Sequence, residues 1–195
     1  MSELGRRVAE KVDRLRSLIE GDREFLVTFP AGVALNETAV LDGYREQLRF
    51  LIRQGEIPET AGDELDGLML PPALVELYSI TEAPNVEYIE LFGDFDKGEI
   101  MDADGQVHRF AEHWLEIGLF GNDKFMVNLV SGQVMYSDQY FWRYGEPDSS
   151  RIVASDALVF FDECVTGPRY REFLETEEIE DPNGWYQFLR ANGLA

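Results

Sequence analysis

One cysteine, two histidines and no apolar run longer than a few residues set the first limits on this chain of 195 residues. Without a long apolar run there is no transmembrane helix to expect. The N-terminal stretch MSELGRRVAEKVDRL alternates charge and lacks an apolar core, so it does not read as a signal peptide. Cys164 stands alone inside VFFDECV with no histidine near it in sequence, which favours a small buried hydrophobe over a nucleophile and suits a reducing cytoplasm. His108 and His113 fall five apart on an expected strand, so they face opposite ways and cannot share a metal. The chain has no G-x-S-x-G, no H-E-x-x-H and no P-loop. Neither a cofactor nor a metal is expected, and no catalytic residue is assigned.

Basic residues are also scarce: 17 against 38 acids, a net charge of −21. Residues 1–25 hold six bases and six acids, leaving 32 acids and 11 bases for residues 26–195. Such a field repels nucleic acid and anionic membrane and attracts a basic protein. Plain solubility explains the same charge, and both readings stand.

What is present is a β-rich stretch, Phe110 to Tyr144. Trp114–Phe120 ends on Gly121-Asn122-Asp123, Phe125–Val130 alternates and ends on Ser131-Gly132, and Gln133–Tyr136 leads to the aromatics Tyr140, Phe141, Trp142 and Tyr144. Turns this short make an antiparallel meander. Val86–Phe92 adds a strand, Ile100-Met101 and Val107–Phe110 flank the Asp102–Gly105 turn, and Ile152–Ser155 closes the set. Helices are expected where Val8, Val12, Leu15 and Ile19 make a stripe, and after Asn36 with Leu41, Tyr44, Leu48, Leu51 and Ile52 inward. Others follow Leu70-Pro71-Pro72, run from Asp156 to Cys164, and start at Pro182. The fold expected is therefore α+β, a mainly antiparallel sheet with helices packed on one side. Residues 1–60 form a helical extension and 61–195 the α+β domain, the two making one compact unit. Leu74, Leu77, Trp114, Ile117, Val127, Leu129, Leu158 and Phe161 are expected to be buried together.

The acidic string Asp94, Asp96, Glu99, Asp102, Asp104 fails as a calcium loop, because a start at Asp94 puts Gly98 at position 5 and Gly105 at position 12. Acidic turns between strands fit better, with an interaction surface second. Four aromatics within Tyr140–Tyr144 read equally as core with sheet edge or as an interface.

The order of a Leu70-Pro71-Pro72-Ala73-Leu74-Val75-Glu76-Leu77-Tyr78 helix, a strand, a charged hairpin, Gly121-Asn122-Asp123, Ser131-Gly132-Gln133-Val134-Met135-Tyr136 and a late Ser155-Asp156…Phe160-Phe161 helix resembles the SUKH superfamily, the Smi/Knr-type domain, over roughly residues 68–175. Asn122 interrupts the Gly-Asp turn usual there, and residues 1–60 have no counterpart. The resemblance implies an α+β fold and, in bacteria, frequent service as an immunity protein that neutralises a polymorphic toxin. It carries over no catalytic residue.

The expected function is thus non-catalytic binding of a basic toxin domain, such as a nuclease. The surface would comprise Asp94, Asp96, Asp102, Asp104, Asp123 and Asp138, with Tyr140, Trp142 and Tyr144 as anchors. The alternatives are a cytoplasmic scaffold or regulator of the same fold and an enzyme using Asp94, Asp96, Asp123 and Asp138.

Overall fold

The computed structural model describes residues 1–20, 27–55, 67–97, 100–101, 107–108, 113–138, 150–176, 179–180 and 184–195. Helix α1 (Glu3–Ile19) begins where the Ser2 hydroxyl accepts the Gly5 N–H at 2.9 Å, and its stripe buries Val8, Val12 and Leu15. After β1 (Val27–Thr28), Asn36 accepts the Ala39 N–H at 3.2 Å and starts α2 (Glu37–Gln54), which buries Leu41, Tyr44 and Leu48 and stops at Gly55. Helix α3 (Pro72–Ile80) opens on its prolines and buries Leu74, Leu77 and Tyr78.

The strands that follow are β2 (Asn85–Val86), β3 (Ile89–Lys97), β4 (Ile100–Met101), β5 (Val107–His108), β6 (Trp114–Phe120), β7 (Asp123–Asn128), β8 (Val134–Ser137) and β9 (Ser150–Ala154). Seven form one antiparallel sheet in the order β1-β2-β3-β6-β7-β8-β9, and β4 pairs with β5 as a separate hairpin. The architecture is α+β, as the short turns require.

Five expectations change in detail. The sheet reaches back beyond Val86 to include β1. Val86–Phe92 is not one strand: Val86 pairs with Ile89 across Glu87-Tyr88, a turn in which Glu87 takes φ +55°. Alternation alone could not reveal this, because Glu87 is held by tertiary contacts. Its carboxylate accepts the Tyr170 hydroxyl and the Trp185 N–H, each at 3.2 Å. His108 and His113 do not share a strand, since β5 ends at His108 and β6 begins after His113. The helix after Asp156 starts as expected, with the Asp156 side chain accepting the Val159 N–H at 2.9 Å. It runs as α4 (Ala157–Val159) and then widens into a π-helical segment, Phe160–Val165, closed by Thr166 N–H to Phe161 C=O at 3.0 Å. Two further helices end the chain, α5 (Tyr170–Thr176), which periodicity did not single out, and α6 (Trp185–Ala191). The expected Asp102–Gly105 turn and the expected helix start at Pro182 lie outside the described residues.

Gly118 sits at an irregularity in β6, paired with Leu91 of β3, and a Cβ there would lie 2.4 Å from the Glu90 carbonyl oxygen, so only glycine fits. Gly121 takes φ +60° in the two-residue turn into β7.

The expected core residues are all buried. Leu74, Leu77, Ile117, Val127, Leu129, Leu158 and Phe161 share one cluster with Val8, Val12 and Leu15 of α1 and Leu41, Tyr44 and Leu48 of α2. Residues 1–60 thus contribute to the same core as the rest. Trp114 does not join it. It packs instead with Met126 and Met135, a separate small cluster among the described buried residues, because alternation along β6 turns it away from Leu115 and Ile117.

A buried charge also ties α1 to the end of the fold. Asp162 in the π-helical segment receives Lys11 Nζ at 2.7 Å on its carboxylate and at 2.8 Å on its carbonyl, together with the guanidinium of Arg7. Burial would raise this carboxyl, but the Lys11 and Arg7 contacts outweigh it and hold the group below its usual range.

Truncating Leu129 or Phe161 to Ala is expected to cost about 2–5 kcal/mol in urea unfolding, and losses under about 0.5 kcal/mol at both would contradict their burial. Because Asp162 is depressed on folding, its contribution is present above the unfolded carboxyl value of about 3.9 and is lost as pH falls through the folded value. The stability gap between wild type and Asp162→Asn should therefore be full at neutral pH and shrink steadily as unfolding is measured below about pH 4. A gap unchanged down to about pH 2 would remove Asp162 from the pH dependence.

Candidate interaction surface

The nine residues expected to meet a partner do not form one surface among the described residues. Asp94 and Asp96 lie on β3, which is described there by its backbone, and the register sets Asp96 opposite Glu116. Asp102, Asp104, Tyr140, Trp142 and Tyr144 lie outside the described residues.

Asp123 and Asp138 depart from the expectation of solvated turn carboxylates. They are 2% and 3% exposed. The turn is Gly121-Asn122, and Asp123 is already the first residue of β7, paired with Phe120 and on the same side as Phe125. Its carboxylate accepts the Tyr136 hydroxyl at 2.6 Å. Asp138 follows Ser137, which pairs with Lys124, so the two acids stand at the ends of neighbouring strands, one step beyond that pair. The sheet brings these two together and leaves Asp96 two strands away.

Several of the bases contact the protein itself. Arg16 donates to the carbonyls of Phe29 at 2.8 Å and Pro30 at 2.6 Å, and Arg14 to that of Asn192 at 2.6 Å. Lys124 pairs with Glu116 at 2.8 Å. Arg169 forks onto Glu172 at 2.8 and 3.0 Å and donates to the Val153 carbonyl at 2.6 Å. The Arg151 guanidinium lies over the Tyr136 ring, 5.3 Å from its centre. With 38 acids against 17 bases, the molecule presents a field dominated by carboxylates.

Nucleophilic and metal chemistry find little purchase among the described residues. Burial pushes the Cys164 thiol up to about 12, far from a reactive thiolate. His113 Nδ1 meets the Tyr44 hydroxyl at 3.1 Å in a buried contact. No group of three or more His, Cys, Asp or Glu could hold a metal ion among the described residues. No described helix is long and apolar enough to cross a membrane.

One surface feature was not singled out from sequence. Met69, 72% exposed, lines a groove together with Met1, Leu70, Pro72, Val75, Glu76, Ser79 and Glu37 of α2. The available signal was the composition of PALVELYSI, which offers a solvent face only Glu76 and Ser79 as polar residues.

No family model matches the sequence, and comparisons with curated proteins and with solved structures give no match.

Tyr136→Phe removes a donor from a buried carboxylate, so it is expected to destabilise by about 1–3 kcal/mol in chemical unfolding. A change under about 0.5 kcal/mol would show that Asp123 does not depend on that hydroxyl.

Proposed function

We propose that this protein acts by binding a basic protein domain, as a cytoplasmic immunity-type inhibitor of SUKH type that neutralises a toxin. The observation that carries the reading is the disposition of charge. A net charge of −21 is joined by contacts in which Arg7, Lys11, Arg14 and Arg16 of α1 meet carboxylates and carbonyls of the same chain. The α+β architecture agrees with what the resemblance implies. A nuclease holds polyphosphate with Lys and Arg, so an inhibitor gains association rate and specificity by offering carboxylates. The Asp94–Asp104 hairpin region is the proposed acidic contact, with Tyr140, Trp142 and Tyr144 as its anchors. Asp123 and Asp138 leave that contact surface because they are buried.

The test is association with a purified basic toxin domain, recovered by affinity capture and identified. Its association rate should fall as salt rises from about 50 to 300 mM, where the Debye length drops below roughly 10 Å. Replacing Asp94, Asp96 and Asp104 together by Lys should slow binding while the fold is retained. Unchanged rate and affinity in that variant would exclude the hairpin. A non-toxic regulatory partner would favour the scaffold alternative. Turnover of a substrate lost on Asp123→Asn would favour the carboxylate-enzyme alternative, which draws support from the neighbouring positions of Asp123 and Asp138.

A further inference from the structure

Helix α3 is apolar on more than its inner side. Leu74, Leu77 and Tyr78 enter the core, yet Pro72 and Val75 sit on the opposite face, with Glu76 and Ser79 beside them. A helix with so little polar surface ordinarily has cover on both sides. Here the outer face forms the floor of the groove next to Met69, one of the most exposed large apolar side chains among the described residues. Methionine is unbranched and polarizable, so it adapts its shape to an inserted side chain.

The margins of the groove decide its occupant. Glu37 lies at the start of α2, and Glu76 lies on α3 itself, where its carboxylate also accepts the Ser2 N–H at 2.5 Å. No basic side chain lines the groove among the described residues. A second copy would bring another charge of −21 against this one. A cationic segment meets both requirements, with an apolar side chain for Met69 and Val75 and flanking Lys or Arg for Glu37 and Glu76.

We propose that the α3 groove is a docking site for a basic amphipathic segment of a protein partner, seated by an apolar anchor on Met69 and Val75. The proposal rests on the protein-binding reading above and adds a second contact, separate from the acidic hairpin. The groove supplies residence through apolar burial, and the surrounding carboxylates supply orientation.

The probe is a synthetic amphipathic helical peptide of leucine and lysine, titrated onto the full chain by calorimetry. Saturable binding is expected, weakened at least about tenfold, or 1.4 kcal/mol, by Met69→Asp combined with Val75→Asp. Ile152→Asp, on the exposed part of β9, should leave binding unchanged, and thermal unfolding checks that every variant is folded. Met69→Ser keeps the net charge and should also weaken binding, which separates apolar anchoring from added repulsion. Equal affinity in wild type and the Met69 variants would overturn the groove while leaving the hairpin contact standing. Loss of basic-domain binding in the Lys-substituted hairpin variant, with peptide binding intact, would support two separate contacts. Concentration-dependent dimerisation of wild type that Met69→Asp abolishes would overturn the basic occupant in favour of a second copy.

Discussion

Phe125 occupies the point on which the packing of this protein depends. Its ring centre lies 4.7 Å from Phe160, 5.2 Å from Phe173 and 5.5 Å from Tyr136, so one strand residue touches the π-helical segment, α5 and the neighbouring strand. Phe173 continues the seam to Phe120 at 5.7 Å, and Tyr170 reaches Phe120 at 6.2 Å. Tilted and edge-on rings at these separations add to the free energy of burying their area. A meander with one apolar face cannot stand alone in water, and this seam is how the C-terminal helices cover it.

The charges are arranged around that core. Asp162 sits in the segment that supplies Phe160 and Phe161, and Lys11 and Arg7 bind it there. One helix is thereby anchored through its apolar stripe and through a buried ion pair that would be costly to leave half-made. Lys11 is held close against the protein in this contact, whereas Arg7 keeps most of its side chain in solvent. The negative field outside follows from the net charge of −21.

Much of the fold was legible in order along the chain, for identifiable reasons. The α1 stripe, the Asn36 cap, the Pro71-Pro72 opening and the Gly121-Asn122 turn are local signals, each satisfied by residues close in sequence. The candidate surface was less legible. Asp123 carries every sequence mark of a solvated turn residue, yet a strand beginning one position earlier than the turn suggests points its carboxylate at Tyr136. Val86–Phe92 alternates well enough for one strand, but the chain turns at Glu87, where Tyr170 and Trp185, far along the sequence, donate to its carboxylate.

The sequence by itself determined the α+β class, the antiparallel meander, the helix starts and the excess of negative charge. These follow from periodicity, capping and composition, which act over a few residues or over the whole chain without regard to neighbours in space. Tertiary structure decided which side of the sheet Trp114 joins, which carboxylates are buried, which carbonyls and carboxylates the bases meet, and that Pro72 and Val75 of α3 line a groove among the described residues. Each of those depends on a one-residue register or on a partner distant in sequence, and a period of two cannot distinguish the two faces of a strand until a second strand fixes it.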